Sequence, residues 1–219
     1  MDGTVTTVII LIFVFSIIGG VTGKKGTAPT RIRQYQTEAP GSLPVEVDTG
    51  QLYSTVNVTN LPGAGFTAGY TANLVESMKT FIKGYAPKVE PWEAQQISNN
   101  IITYSQKYDV NPKVVFGLIA RESRFNRFAV SSSGAQGLGQ LLPSTAAGLG
   151  VTDGFDIEQN VMGTSRYVRS LMDRFPEPNK VTFSLAGYLE GPNIVKKRGS
   201  FKSHTKSYIE DILKISNRI

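Results

Sequence analysis

The sequence predicts a mainly α-helical domain over residues 70–219, preceded by an apolar N-terminal segment and an extended linker. Three observations carry this expectation. From Tyr70 onward, apolar residues recur at the helical period of about 3.6 residues. Pro, Asn or Asp stands at the start of several periodic runs, where each favours helix initiation. No run of alternating apolar and polar residues competes with them as a set of strands.

The elements follow in chain order. Val5 to Val21 reads VTTVIILIFVFSIIGGV and carries no charge. It approaches the lower limit of roughly 17 residues for a membrane-spanning helix. Residues 1–23 are therefore expected to form a single-pass anchor. A secretory signal peptide is the alternative, with Val21 and Gly23 as small residues for cleavage, but only Met1, Asp2 and Gly3 stand where a basic n-region would be. Lys24, Lys25, Arg31 and Arg33 follow the span and no Lys or Arg precedes it, a bias that by itself holds the domain on the cytoplasmic side. Residues 24–69 read as a linker broken by Pro29, Pro40, Pro44 and Pro62.

The first helix carries Leu74, Val75, Met78, Phe81 and Ile82. A second opens at Pro91, with Ile97, Ile101, Tyr104 and Tyr108 on one face. Asn111-Pro112 supplies an N-cap and first-turn residue for a third, which holds Val114, Val115, Leu118 and Ile119. Pro143 starts a short helix. Asp156 caps the next, striped by Val161, Val168, Leu171 and Met172. Asn179 caps another, with Val181, Leu185 and Tyr188, and Gly191-Pro192 ends it. The last carries Tyr208, Ile209, Ile212 and Leu213.

Composition removes several chemistries. There is no cysteine, so disulfides, thiolate metal sites and a cysteine nucleophile are excluded. The one histidine, His204, lies in the polar, basic stretch KSHTKS and reads as a surface residue. No metal or cofactor is expected. The formal charge of +6 suits an anionic partner. The basic residues are spread out and no nucleic-acid motif is present, so nucleic acid is not the expected partner.

Glu122 is the candidate for the chemistry. It falls one helical step after Val115, Leu118 and Ile119, on the apolar stripe, whereas Arg121 and Arg124 lie off it. A carboxyl held among apolar groups keeps its proton to higher pH and can serve as a general acid. The alternative is a solvated helix residue, the usual fate of Glu. The following loop, AVSSSGAQGLGQLLPSTA, runs into the Pro143 helix. Gly134, Gly137 and Gly139 allow tight turns and close approach of backbone to a ligand. Ser131, Gln136 and Gln140 offer donors and acceptors suited to a sugar. An ordinary surface loop is the competing reading.

The stretch NPKVVFGLIARESRFNRFAVSSSGAQGLGQLLPSTA resembles the catalytic segment of the SLT-type lytic transglycosylases, relatives of goose-type lysozyme. The shared features are Glu122-Ser123 at a helix end, Phe125, Ala129 to Ser131, Gly134 to Gln140, Pro143 and Thr145-Ala146. A second block matches at Asn160, Gly163 and Tyr167, and a third, LAGYLEGPN, at Ala186, Tyr188, Gly191 and Pro192. Tyr208 stands where the family has a late tyrosine facing the cleft. The resemblance spans about Tyr104 to Leu213. It departs at Arg127, where Pro is usual, and at Leu189 and Glu190, which replace Asn-Ala.

The resemblance implies a lysozyme-like helical fold and peptidoglycan glycan strands as substrate. It implies Glu122 as the sole catalytic acid and base, with Ser123, Ser131, Gln136, Gln140, Tyr188 and Tyr208 binding or bounding the substrate. The substrate's own N-acetyl group stands in for the second carboxylate of most glycosidases. A hydrolase of the same fold and a non-catalytic glycan-binding module are the alternatives. The implied location is a membrane, either in a bacterial envelope or inside a virion. The second setting avoids the conflict with the charges after the span.

Overall fold

The computed structural model describes residues 67–219. The expected anchor at 1–23 and all but the last three residues of the expected linker lie outside this range. No helix among the described residues is long and apolar enough to cross a membrane.

Eight helices account for most of the described chain: α1 (Ala68–Tyr85), α2 (Pro91–Lys107), α3 (Pro112–Ser123), α4 (Pro143–Gly148), α5 (Ile157–Met172), α6 (Lys180–Glu190), α7 (Pro192–Arg198) and α8 (Ser203–Ser216). Their starts follow the local chemistry. Thr67 caps α1, which begins two residues ahead of the expected Tyr70. The Glu90 N–H donates to Glu93 Oε2 at the head of α2. Asn111 Oδ1 accepts the Lys113 N–H at 2.9 Å, with Pro112 as the first helical residue of α3. Asp156 accepts the Gln159 N–H at 2.8 Å and opens α5.

Three details differ from expectation. Tyr108 is the C-cap of α2 and not part of its face. Asn179 occupies the N-cap position of α6 but makes no capping bond. Gly191-Pro192 ends α6 and also begins α7, because Gly191 adopts a φ of 90° that reverses the chain and Pro192 suits a first turn.

Helix α3 runs through the middle of the core. Val115, Phe116, Leu118, Ile119 and Ala120 are fully buried, so the helix is apolar nearly all round. It packs against α8 on one side and α2 on another. Its crossing with α8 is close: a Cβ on Gly117 would lie 2.5 Å from Ile212 O and from Ser216 Oγ. Helix α5 joins α2 to α6, and α6 in turn contacts α7 and α8. A smaller cluster of Leu141, Ala146, Leu149 and Val151, with Met162, Tyr167 and Tyr188 against it, holds α4 and the loop before it. The described residues form no β-strand. Two isolated bridges, Val130 to Gln136 and Gln136 to Leu141, fold the glycine-rich segment back on itself.

Candidate active site

Glu122 is the penultimate residue of α3 and only 9% exposed. The chain leaves the helix sharply, with Arg124 at φ 53° and Phe125 at φ 61°. Two successive non-glycine residues in the left-handed region cost about 1–2 kcal/mol each. Burial of the Phe125 ring against Phe81, Tyr85 and Phe116 offsets that cost and fixes the turn beside Glu122.

Burial pushes the Glu122 carboxyl up from 4.5 to about 7, against the lowering effects of the Tyr208 hydroxyl and the Arg121 guanidinium. The Tyr208 hydroxyl donates to Glu122 Oε1. Tyr208 sits on α8, is 4% exposed, and has Arg121 over its ring at 5.4 Å. Arg121 also faces Asp211, with Nε 3.3 Å from Oδ2. Tyr188, on α6, is close enough for the Glu122 charge to raise its own pKa, after the larger effect of burial. The Tyr188 hydroxyl donates to Gly139 O at 2.6 Å, and its ring lies 5.1 Å from that of Tyr167. Glu122, Tyr188, Tyr208 and the glycine-rich loop are thus brought together from α3, α6, α8 and the 129–141 segment. Among the described residues, no other carboxylate contributes to the Glu122 shift.

The polar residues expected to face a sugar are mostly bonded inward. Ser123 Oγ donates to Ile119 O at 3.2 Å, back along its own helix. Ser131 Oγ accepts the Ala135 N–H at 2.9 Å and contacts Ser133 Oγ at 2.9 Å, closing a turn. Gln140 Nε2 donates to Ala129 O and Gly137 O at 3.0 and 2.8 Å. Its Oε1 is different: it is buried and has no partner among the described residues. Gln136 is half-buried and lines a cavity of about 420 Å³ with Pro143, Ala147, Val151, Thr152 and Gly154. Glu122 is not among the residues of that cavity.

The glycines of the loop also act differently from the expectation. A Cβ on Gly137 would lie 2.0 Å from Gly154 O, and one on Gly139 would lie 1.9 Å from Thr164 Oγ1. The close approach is therefore to the protein itself. Only Gly134 is open, at φ 79° in a turn. Asn160, 1% exposed on α5, fastens the loop: it accepts the Gly139 N–H at 2.7 Å and donates to Gln136 O and Gly154 O at 3.0 and 2.8 Å. Asn160 was not expected as a site residue. The signals available were its match to the second block of the resemblance, which carried no role for it, and its phase, since Ile157, Asn160, Val161, Thr164 and Val168 share one buried face.

The transglycosylase SLT domain model matches residues 99–210, just over half of the chain. The chain belongs to the SLT transglycosylase domain family. The SLT domain here is 35% identical over 113 residues to a transglycosylase of Enterobacteria phage PRD1, covering 52% of this chain and 40% of that protein. It is 37% identical over 92 residues to the membrane-bound lytic murein transglycosylase F of Pectobacterium atrosepticum, covering 39% of this chain and 19% of that protein. The chain thus spans well under half the length of these curated relatives. Among solved structures, the 70 kDa soluble lytic transglycosylase SLT70 of Escherichia coli aligns at a TM-score of 0.49 and 17% identity, over 70% of this chain and 30% of that one.

The positions where this SLT domain departs from the usual family pattern have clear partners. Arg127 pairs with Glu93 at 2.8 Å, donates to Phe155 O at 3.3 Å and lies 4.0 Å from the Phe128 ring centroid. It ties the loop after α3 to α2 and to the start of α5. Leu189 packs on the main core. Glu190, the last residue of α6, is 5% exposed and fully engaged by Arg198, Lys202 and Thr205.

Proposed function

We propose that this SLT domain is a peptidoglycan lytic transglycosylase that cleaves the β-1,4 bond between N-acetylmuramic acid and N-acetylglucosamine. The observation that carries the reading is a buried carboxyl, Glu122, which holds its proton to about pH 7, receives the Tyr208 hydroxyl and has no second carboxylate acting on it among the described residues. Two-carboxylate glycosidase mechanisms need a second acid or base at a set separation. Membership of the family, and relatives named as transglycosylases, support a chemistry that needs one.

In this cycle the Glu122 carboxyl donates its proton to the glycosidic oxygen as the bond to C1 of the muramic sugar breaks. The sugar's own N-acetyl carbonyl oxygen supports the positive charge at C1. Glu122, now a carboxylate, takes the proton of the C6 hydroxyl while the C6 oxygen bonds to C1. The product is a 1,6-anhydro end, no water is consumed, and Glu122 is protonated again. Tyr208 holds the carboxylate between the two proton transfers. Gln140, bonded inward through Nε2 to Ala129 O and Gly137 O, holds the shape of the loop beside the site. Tyr188, Ser123, Ser131 and Gln136 shape the surroundings.

The proposal extends to the setting. Residues 1–23 anchor the domain in a membrane and 24–69 tether it. The phage source of one relative and the membrane-bound description of another support a tethered enzyme that opens the wall locally, in an envelope or from within a virion. The test is digestion of purified sacculi, with fragments analysed by mass. Anhydro-muropeptides that vanish in Glu122→Gln are expected. Fragments that have gained water would replace the reading with a muramidase. Binding without release would leave a glycan-binding module.

A further inference from the structure

Glu190 is a carboxylate where its family usually carries Ala, and it is almost wholly buried at the C-terminal end of a helix. Both circumstances oppose its charge, since burial and the helix dipole each disfavour an anion there. Burial alone would raise its pKa, yet the Lys202 N–H, the Thr205 hydroxyl and the Arg198 guanidinium outweigh it, and the carboxyl lies below its ordinary value. The bonds are short: Lys202 N to Oε1 at 2.8 Å, Thr205 Oγ1 to Oε1 at 2.5 Å and Arg198 NH1 to Oε2 at 2.7 Å.

The partners have definite places in the fold. Lys202 is the N-cap of α8 and makes no side-chain cap of its own. Thr205 is the third residue of that helix, and Arg198 is the last of α7. In a capping box, a Glu at the third helical position bonds back to the N-cap N–H. Here that bond comes from Glu190, across from α6. The Thr205 position is one turn before Tyr208, on the same face of α8. At its other end, α8 is held independently, by Ser216 Oγ donating to Lys113 O at 2.8 Å and by the tight crossing at Gly117.

We propose that Glu190 is a positioning residue for the active site: by capping α8 from α6, it sets the register in which Tyr208 meets Glu122. The groups facing Glu122 are Arg121 on α3, Tyr188 on α6 and Tyr208 on α8, and of these only Tyr208 lies on the helix whose first turn Glu190 grips. Loss of Glu190 frees the first turns of α8 and leaves its far end docked. This deepens the transglycosylase reading and rests on it for the role of Glu122.

The experiment uses the full chain with Glu190→Ala, Glu190→Gln, Tyr208→Phe and the Glu190→Ala, Tyr208→Phe double variant. The Glu122 carboxyl is titrated by carbon NMR, and the pH profile of sacculus digestion is recorded alongside. The Tyr208 hydroxyl favours the carboxylate, so its loss raises the Glu122 midpoint, by about half a unit to one unit. Glu190→Ala is expected to raise it in the same direction and Glu190→Gln by less. In the Tyr208→Phe background, Glu190→Ala is expected to add nothing. A Glu190→Ala variant that melts earlier but titrates like wild type overturns the proposal, and so does a full further shift in the double variant. Failure of wild type to digest sacculi would refute the enzymatic reading while leaving the titration comparison intact.

Discussion

Replacement of Glu122 by Gln separates the cost of a buried, proton-holding carboxyl from the rest of the fold. The side chains have nearly the same shape, and the amide oxygen can still accept the Tyr208 hydroxyl. Only the titrating proton is removed. In the folded domain Glu122 titrates near 7, against 4.5 as the ordinary value. A carboxyl whose folded pKa is raised is at no disadvantage below its unfolded value. Between 4.5 and 7 the unfolded chain has released the proton and the native state has kept it, so native stability falls as pH rises. At about 1.4 kcal/mol per unit, the full loss is about 3 kcal/mol, complete by about pH 8. The carboxyl is nearly inaccessible, so solvent screening takes little from that figure.

The expected outcome is specific in pH. Urea unfolding of wild type and Glu122→Gln should give matching stabilities near pH 4 and a variant more stable by about 3 kcal/mol at pH 8. Every other titrating group is present in both chains and cancels in the difference. A gap of equal size at both pH values would mean that the benefit comes from packing, and that Glu122 is not held in its acid form by burial. A variant less stable at pH 8 would mean that the carboxylate is well solvated or paired, and would refute the reasoning.

Gly139→Ala drives a Cβ into Thr164 Oγ1 at 1.9 Å and should cost about 3 kcal/mol or more, whereas Gly134→Ala meets only its positive φ and should cost about 1 kcal/mol; thermal melts of the two variants test the contrast. Asn160→Ala leaves the Gly139 N–H and two carbonyls without their partner and should cost about 2–4 kcal/mol, read as a lowered urea midpoint together with faster amide exchange at Gly139. Arg127→Ala loses the Glu93 pair and its packing on Phe128, for about 1–2 kcal/mol; a matching loss in Glu93→Gln would assign most of it to the ion pair. Sacculus digestion should fall on the alkaline side with a midpoint near pH 7, as Glu122 loses the proton that the first step requires, and an unchanged rate at pH 9 would contradict that assignment.

The parts legible in the sequence are those whose causes are local. Asn111-Pro112 starts α3 through contacts within three residues, and the phase of Glu122 against Val115, Leu118 and Ile119 anticipates its burial. What joins Glu122 to Tyr208 is a contact across 86 residues, and no local pattern encodes it. The family resemblance marks Tyr208 without saying what its hydroxyl touches. The glycines of the loop show a different limit. Their spacing signals close approach but not the approaching surface, and that surface is α5, through Asn160 and Thr164, with Gly154 in the turn before it. Ser131 and Gln140 illustrate the same ambiguity, because polar side chains in a glycine-rich loop can serve a ligand or the loop, and here most of their bonding is internal. Helix α7 is seven residues long, too short for a periodic signal, and Gly191-Pro192 reads equally as an end or a beginning.

The single-carboxylate cycle makes a demand that two-carboxylate glycosidases divide between residues. The same group must first give up a proton and then accept one, so its pKa has to lie near the working pH. An exposed Glu at 4.5 would be ionised and unable to begin. A Glu subject only to burial would hold its proton too tightly to give it up readily. At Glu122, burial raises the value while Tyr208 and Arg121 oppose it, and the balance falls near neutrality. Burial comes from the apolar stripe of α3, and Arg121 is its neighbour in sequence. Tyr208 comes from α8, whose first turn is fixed by Glu190 and whose last turn is docked on α3 through Ser216. The acidity of this one residue is therefore set by how α3, α6 and α8 pack together. A change that moves α8 without touching Glu122 should alter the pH at which the site works before it alters whether the domain folds.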